Sequence, residues 1–182
     1  MRVIAGSAKG RRLVGPKGTT TRPMMDRAKE ALFSSLGERV QGARILDLYA
    51  GSGSLGIEAL SRGAASSIFV ERDRAALDAL VSNLSASKLE GTVRAEDVEL
   101  YLESAADRFD IVFVDPPFAT SLGSITAVME LVVPLLEDDA RVILHRRSGD
   151  PDPEWPSALR VEAHRRYGDS ALWQLRKATK ES

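Results

Sequence analysis

The sequence predicts an α/β fold with a mostly parallel, doubly wound sheet, and three observations support that prediction. Apolar segments of strand length alternate with segments of helical periodicity between residues 44 and 145, a pattern typical of parallel sheets flanked by helices. A glycine-rich turn separates the first of these strands from the helix that follows it. Near the carboxyl terminus, residues 159–167 and 171–176 are joined by a turn at residues 168–170 and predict a terminal pair of strands.

The order of these segments defines the individual elements. Strands are predicted at residues 45–49, 67–71, 92–95, 109–114, 140–145, 159–167 and 171–176. Helices are predicted from about residue 23 to 39, between Gly53 and Gly63, and at residues 73–84, 98–105 and 124–136. Asp73 and Asp97 stand at the start of two helices, where a carboxylate can accept bonds from free backbone N–H groups.

A basic extension precedes the sheet. Residues 2–14 predict a small β-hairpin, and residues 1–40 are interpreted as an extension to a domain at residues 41–182. Residues 1–39 carry nine basic and three acidic side chains, so a charge of +6 stands against −7 in the rest of the chain. This asymmetry indicates a polyanionic partner such as nucleic acid, the alternative being a solvated basic surface. The candidate contacts to such a partner are Arg2, Lys9, Arg11, Arg12, Lys17 and Arg22.

Composition excludes several classes of function. The chain has 182 residues and no cysteine, so a disulfide framework and cysteine-based metal or nucleophilic sites are excluded. No apolar run approaches the roughly 20 residues that span a membrane, and no signal peptide is evident. We therefore expect a cytoplasmic monomer without a metal or a membrane partner. His145 and His164 lack metal-ligand spacing and are interpreted as structural or surface groups.

The glycine-rich turn predicts a ligand site. Gly51 and Gly53 allow a tight turn and close approach of a ligand, and with Gly56 they also match the dinucleotide fingerprint. Asp47 favours another ligand, because a carboxylate inside this strand is costly unless it orders the loop or meets a cationic group. The sequence Leu-Asp-Leu-Tyr-Ala-Gly-Ser-Gly resembles the first motif of methyltransferases that use S-adenosylmethionine, whose sulfonium and ammonium are cationic.

Two acidic residues follow the next two strands. Glu71 lies 20 residues after Gly51, where an acid commonly binds both ribose hydroxyls, although a surface ion pair would also suit it. Asp97 could accept a bond from the exocyclic amine of adenine while capping its helix. The candidate cofactor-binding residues are Asp47, Ala50, Gly51, Ser52, Gly53, Glu71, Arg72 and Asp97.

The sequence Asp115-Pro116-Pro117-Phe118 follows the fourth strand, at the edge of the sheet where ligands bind. The prolines stiffen this turn, so the Asp115 carboxylate and the Pro116 carbonyl become two fixed acceptors for one exocyclic amine. Phe118 offers a flat face to an unstacked base. These four residues are the candidate catalytic residues; the alternative is a rigid strand-end turn with a core phenylalanine. Asp115 or water would accept the proton that the amine releases.

Taken together, these motifs resemble the bacterial RsmD family, which methylates the N2 amine of a guanine in 16S ribosomal RNA. The matching stretches are residues 2–6, 9–13, 22–33, 46–59, 62–64 and 115–118. The resemblance implies a Rossmann-like, seven-stranded class I methyltransferase sheet with one reversed strand and S-adenosylmethionine as cofactor. It implies as substrate 16S ribosomal RNA within the small ribosomal subunit or within an assembly intermediate of that subunit. It also implies that the hairpin binds RNA and that Arg22 and Pro23 close over the cofactor. Met24 and Met25 depart from the small polar residues expected there.

Other interpretations stay open at this stage. The Asp115 turn would suit an adenine-N6 or cytosine-N4 methyltransferase equally well. A nicotinamide-dependent oxidoreductase and a non-catalytic RNA-binding module are the alternatives from other classes. The resemblance is weak after about residue 120, where Trp155 and Trp173 are interpreted as packing residues. Four further arginines could extend the basic surface: Arg146, Arg147, Arg165 and Arg166.

Overall fold

A computed structural model describes residues 1–17 and 24–178 of the chain. Five helices are present in these ranges: α1 Asp26–Leu36, α2 Ser54–Ser61, α3 Arg74–Ser87, α4 Val98–Ser104 and α5 Leu122–Val132. Seven strands alternate with them and then follow them: β1 Arg44–Leu48, β2 Ser66–Glu71, β3 Thr92–Ala95, β4 Phe109–Val114, β5 Leu136–Arg147, β6 Leu159–Tyr167 and β7 Ser170–Lys177. Short 3-10 turns follow α1 and α5 at Gly37–Val40 and Val133–Leu135.

The strands form one sheet in the order β3-β2-β1-β4-β5-β7-β6. The pairs from β3 through β5 are parallel, whereas β7 runs antiparallel to both β5 and β6. The predicted seven-stranded α/β sheet with one reversed strand is therefore confirmed. The chain order changes direction between β1 and β4, so the carboxyl ends of these neighbours form the crevice in which such sheets bind ligands.

Helices cover both faces of the sheet, as the burial of the side chains of β4 illustrates. Its residues are buried on alternate faces: Ile111 and Phe113 pack with α1 and α2, whereas Val112 and Val114 pack with α4 and α5. A strand buried on both faces is an almost continuous apolar run, which is why residues 109–114 were recognisable as a strand. Asp73 and Asp97 cap α3 and α4 through bonds from the N–H groups of Ala76 and Glu99, as predicted.

Some boundaries differ from the prediction. The expected β-hairpin at residues 2–14 is present only in part: Arg2 and Arg12 form one antiparallel bridge, and backbone hydrogen bonds run from Val3 to Arg11 and from Leu13 to Met1. The helix predicted at 124–136 ends at Val132, since Pro134 in the following 3-10 turn cannot donate a helical hydrogen bond. Strand β5 begins at Leu136 and contains an irregularity opposite β4, near Asp139, whose φ is 60°. The predicted start of α1 at Pro23 lies outside the described residues.

Residues 1–14, called here the N-terminal segment, are fixed to the sheet domain by buried polar groups. Glu58 on α2 accepts bonds from the N–H groups of Ile4 and Ala5 at 2.8 and 3.1 Å. Lys29 on α1 is fully buried, lies 3.3 Å from the Glu58 carboxylate and donates to the Arg2 carbonyl at 2.7 Å. Burial lowers the pKa of Lys29. This buried pair joins α1, α2 and the N-terminal segment.

Candidate active site

A cavity of about 770 Å³ opens at the carboxyl ends of β1, β2 and β4. Its lining includes Gly51, Glu71 and Asp97 from the predicted cofactor site and Asp115 and Phe118 from the predicted catalytic turn. The structure thus brings two separately predicted sets of residues into one space. Its volume falls within the range of about 300–1,000 Å³ that is usual for ligand sites.

The glycine loop, residues 49–53, enters this cavity between β1 and α2. Gly51 and Gly53 have φ values of 57° and 82°, a left-handed conformation that glycine adopts without strain. A Cβ at Gly51 would meet nothing within 4 Å, so the loop is open there, whereas one at Gly53 would lie 2.3 Å from Leu80. Gly56 is needed for packing, because its Cβ would lie 2.3 Å from Phe69 on β2.

Asp47 orders this loop from within β1. Its side chain is buried, with 1% of its surface exposed, and accepts a 2.8 Å hydrogen bond from the Gly56 N–H at the start of α2. Burial raises the pKa of Asp47 well above its usual value, and the neighbouring Asp115 and Glu71 carboxylates add to this shift. Asp47 also lines the cavity. It therefore orders the glycine loop and also lies where a ligand in the cavity could contact it.

Glu71 binds the glycine loop directly. One carboxylate oxygen accepts from the Gly51 N–H at 2.8 Å, and the other accepts from the N–H groups of Arg72 and Asp73, each at 2.8 Å. A carboxylate offers about four lone-pair positions, so these bonds occupy most of its acceptor capacity. Two ribose hydroxyls would therefore have to share the Glu71 oxygens with the loop or displace one of its bonds.

Asp97 borders the same cavity across from Glu71. It caps α4 and forms a 2.7 Å ion pair with Arg72, whose side chain is largely exposed. A hydrogen bond with the Glu99 side chain lowers the pKa of Asp97 and raises that of Glu99. Asp97 is thus held as an ionised acceptor, which is the state that binding an adenine amine would require. Ala50, Ser52 and Arg72 also line the cavity.

The acceptor turn, residues 115–118, is held by side chains from the neighbouring strand β5. The guanidinium of Arg146, which is 4% exposed, donates to the carbonyls of Pro117 and Phe118 at 3.0 and 3.2 Å. Neither bond engages the Pro116 carbonyl. Arg146 is also 3.0 Å from Asp150. The turn is therefore stiffened by its own prolines and is also held by hydrogen bonds from Arg146.

His145, also on β5, contacts the Asp115 side chain. Its Nδ1 lies 2.7 Å from an Asp115 carboxylate oxygen and its Nε2 lies 2.9 Å from the Ser170 hydroxyl. The prediction of a structural group fits its burial, but sequence reasoning did not place it beside the candidate catalytic turn. One sequence signal was its position at the end of a strand that neighbours β4. Using that signal requires the order of strands in the sheet, which no local motif provides.

Phe118 lies at the mouth of the cavity and is only partly buried. Its ring meets the edge of the His145 ring, with centroids 5.7 Å apart. The exposed Arg147 places its guanidinium 5.4 Å from the centre of the Phe118 ring, within the range of a cation–π contact. Phe118 is therefore not a core residue but a ring available at the edge of the site, with a cation beside it.

The candidate RNA contacts of the amino-terminal region are surface side chains. Those in the described ranges are exposed, namely Arg2, Lys9, Arg11, Arg12 and Lys17, while Arg22 lies outside the described residues. Arg2 also pairs with Asp26 at 3.4 Å. This region reaches the cavity through Met1, Gly15 and Pro16, which contribute to its lining. A ligand long enough to leave the cavity could therefore meet this charge.

Other residues singled out in the sequence lie away from the cavity lining. Trp173 is buried and stacks on His164 with ring centroids 4.2 Å apart, and Trp155 packs at 6.4 Å from it. Within the described residues, no group of three or more histidine, aspartate or glutamate side chains could hold a metal ion. None of the helices in the described ranges has both the length and the apolar character to cross a membrane.

Comparison with known proteins agrees with this geometry. The family model described as Conserved hypothetical protein 95 matches residues 1–176. The chain is 40% identical to the putative rRNA methyltransferase YlbH of Bacillus subtilis over 92% of this chain and 94% of that protein. It is also 40% identical to the ribosomal RNA small subunit methyltransferase D of Escherichia coli over 76% of this chain and 68% of that protein.

Solved structures show the same fold. The putative methyltransferase yhhF of Escherichia coli superimposes with a TM-score of 0.86 at 31% identity, covering 97% of each chain. A Thermus protein described as hypothetical, TTHA0928, gives a TM-score of 0.83 at 31% identity over 96% of this chain and 98% of that one. With a family match over nearly the whole length and these identities, the chain belongs to the RsmD family.

Proposed function

We propose that this protein transfers a methyl group from S-adenosylmethionine to the exocyclic N2 amine of a guanine in 16S ribosomal RNA of the small ribosomal subunit. The observation that carries the proposal is the single cavity lined by both the glycine loop and the acceptor turn. A methyltransferase for nucleobase amines needs these two parts side by side, because catalysis consists mainly of aligning the methyl donor with the nucleophile.

The residues around the glycine loop fit the proposed cofactor. Gly51 leaves open space where a side chain would stand, and Glu71 and Asp97 offer acceptors for a ribose and for an adenine amine. Asp115 adds a carboxylate suited to a cationic ligand, and the buried Asp47 offers a further oxygen acceptor in the same lining. S-adenosylmethionine, when bound, supplies a methyl group already activated on a sulfonium. A nicotinamide dinucleotide would bring a pyrophosphate into this acidic surrounding, which disfavours the oxidoreductase alternative.

The acceptor turn would bind the base. The Asp115 carboxylate and the Pro116 carbonyl would each accept one hydrogen of the same amine and so aim its nitrogen lone pair at the methyl group. The amine nitrogen held in this way would take the methyl group of the bound cofactor, whose sulfur would leave as a neutral thioether, and Asp115 or water would then take one proton from the nitrogen. The base has to leave its stack first, at a cost of roughly a few kcal/mol, and stacking on Phe118 offsets part of that cost.

The choice of ribosomal RNA rests on the relatives and on the charge of the amino-terminal region. Two proteins 40% identical to this one are named as ribosomal RNA methyltransferases. The exposed arginines and lysines of the N-terminal segment would bind phosphates. The preference for guanine N2 follows from the family resemblance, since the acceptor turn itself would also accept adenine N6 or cytosine N4. We also propose that the protein acts as a monomer, because the glycine loop and the acceptor turn of one chain line the same cavity, and that it acts in the cytoplasm, where its proposed ribosomal substrate is located.

The decisive experiment identifies the modified nucleoside. Small ribosomal subunits that lack the modification are incubated with the protein and with S-adenosylmethionine labelled in its methyl group, and the RNA is digested to nucleosides. We expect the label in N2-methylguanosine at one position of 16S RNA. Label in N6-methyladenosine or N4-methylcytidine would change the base, and binding of RNA without any transfer would favour the non-catalytic module.

A further inference from the structure

His145 is a buried titratable side chain to which the proposed reaction assigns no part. It is 2% exposed and lies on β5, beside the strand that ends in the acceptor turn. Both ring nitrogens have a partner: Nδ1 is 2.7 Å from Asp115 Oδ1, and Nε2 is 2.9 Å from Ser170 Oγ. Ser170 begins β7, so the ring bridges from the acceptor turn to the reversed strand.

The chemistry of the partners fixes the direction of these bonds. An ionised carboxylate can only accept, so the hydrogen of a neutral imidazole is on Nδ1 and points at Asp115. Nε2 is then the acceptor, and the Ser170 hydroxyl donates to it. The ring cannot turn over without losing both bonds. Phe118 packs against its edge at 5.7 Å between centroids, which restricts the ring further.

This arrangement leaves Asp115 with one committed and one available oxygen. Oδ1 is occupied by His145, while the Asp115 side chain remains 31% exposed and lines the cavity. A free aspartate could rotate about its side-chain torsions and present either oxygen. With Oδ1 held, Oδ2 is the oxygen that can accept from a nucleobase amine, and its direction is set before the substrate arrives.

We propose that His145 is a positioning residue that holds the Asp115 carboxylate in the orientation required to bind the acceptor amine. The inference rests on the proposed methyl transfer and adds to it the group that orients the catalytic turn. His145 does not touch the amine in this scheme and takes no proton from it. Ser170 has the further role of holding the imidazole in the tautomer that donates to Asp115. A displacement of the carboxylate by about 1 Å can reduce a rate by roughly a hundredfold.

Two isosteric substitutions separate the bonds of His145. In His145→Asn the side-chain amide nitrogen occupies the place of Nδ1, so it can donate to Asp115 but cannot reach Ser170. In His145→Gln the amide lies at the place of Nε2, so it reaches Ser170 but leaves Asp115 unheld. Both variants keep a neutral polar side chain at a buried position, and thermal unfolding shows whether each is folded.

The measurement is the single-turnover rate of methyl transfer to unmodified small subunits at saturating S-adenosylmethionine, with the cofactor dissociation constant determined separately. We expect His145→Asn to stay within about threefold of wild type and His145→Gln to lose roughly tenfold to a hundredfold, with unchanged cofactor affinity. Equal rates for the two variants, at any level, would overturn the positioning role.

A second comparison remains decisive if one of these variants does not fold. Ser170→Ala removes the hydroxyl that holds the tautomer, and we expect a smaller loss of rate, by a few fold. The same substitution made together with Asp115→Ala should have no further effect, because the group that His145 positions is gone. An unchanged rate in Ser170→Ala, or an equal additional loss in the double variant, would contradict the proposal. If the wild-type protein transfers no methyl group at all, the proposed function fails instead.

Discussion

The two sides of the cavity are built in different ways. On the cofactor side, backbone N–H groups of the glycine loop and α2 bind the carboxylates of Asp47 and Glu71, and all partners lie within one strand–helix–strand unit. On the acceptor side, the turn at residues 115–118 is held by side chains of β5, with sequence separations of 28 to 30 residues. The first construction joins residues 9 and 20 positions apart that belong to the motif spacing itself, whereas the second depends on side chains of β5 that no motif marks.

This difference shows which contacts of a site can be predicted from a sequence motif and which cannot. A loop that is ordered by its own neighbours can be recognised from spacing alone, because the spacing determines the contacts. A turn that is ordered by side chains of another strand cannot be described fully from its own residues, because the partners that hold it lie elsewhere in the sequence. The predictions below test whether the two sides can be disturbed separately, beginning with the largest expected effect.

The largest loss of stability should come from Glu58→Gln on α2, the helix that follows the glycine loop. The change removes the anion beside Lys29, which is fully buried, and an unpaired buried charge costs about 3–5 kcal/mol. Urea unfolding measures the loss of stability. Glu103→Gln, at an exposed position of α4, is the matched control and should change little. Adding Lys29→Met should restore part of the loss; a cost for Glu58→Gln below about 1 kcal/mol would contradict this account.

The pH dependence of stability tests the position of Asp47 beneath the glycine loop. Its raised pKa means that the folded protein holds this proton more tightly than the unfolded chain, where aspartate titrates near pH ~4. Deprotonation above that pH therefore lowers the free energy of unfolding. Asp47→Asn keeps an acceptor for the Gly56 N–H and cannot ionise. We expect its stability relative to wild type to increase between pH 5 and 8, as measured by chemical denaturation; a constant difference would contradict the burial argument.

Glu71→Ala should affect cofactor binding rather than chemistry. The variant removes the acceptor of three backbone N–H groups, including that of Gly51, and loosens the loop. We expect S-adenosylmethionine to bind about tenfold more weakly, which corresponds to about 1.4 kcal/mol, by calorimetry. Asp78→Ala, at an exposed position of α3, serves as control. If instead the rate of methyl transfer fell at saturating cofactor while the cofactor affinity stayed unchanged, Glu71 would belong to the acceptor side of the cavity.

The smallest effect per residue is expected at the N-terminal segment. Charge reversal at Arg11 and Arg12, both exposed, should weaken RNA binding and reduce the slope of log K against log salt by up to about 0.7 for each lost phosphate contact. Arg39→Glu, just before the amino end of β1, is the control. Binding titrations between 50 and 200 mM salt, roughly the range in which such slopes are measured, provide the test. An unchanged slope would separate this segment from the RNA.

Much of the fold followed from sequence because the central strands are apolar and clearly bounded. Strands β3 and β4 begin and end at the predicted residues, and the caps at Asp73 and Asp97 are present. The hairpin was overestimated because alternating residues predict extended chain but not the number of ladder bonds. Residues 2–14 are instead fixed by Glu58, Ser61 and Asn83, which lie on other elements and have no signature in the segment itself.

The candidate site, too, could be predicted only in part from the sequence. The co-location of Asp115 and Phe118 with Gly51 and Glu71 was expected, since parallel strands place their carboxyl ends at one edge. The contacts of His145 and Arg146 were not, because strand β5 carries no motif and only its place beside β4 brings these side chains to the turn. Their polar character directly after the apolar run at residues 142–144 was a weak signal that a partner was needed.

The rate of methyl transfer by Asp115→Ala tests the central claim most directly. Single-turnover transfer to unmodified small subunits is measured at saturating S-adenosylmethionine, with the cofactor dissociation constant determined on the same preparation. We expect a loss of at least about a hundredfold in rate, or about 2.7 kcal/mol in activation free energy, while cofactor affinity changes little. A rate close to that of wild type would show that the turn does not hold the reacting amine.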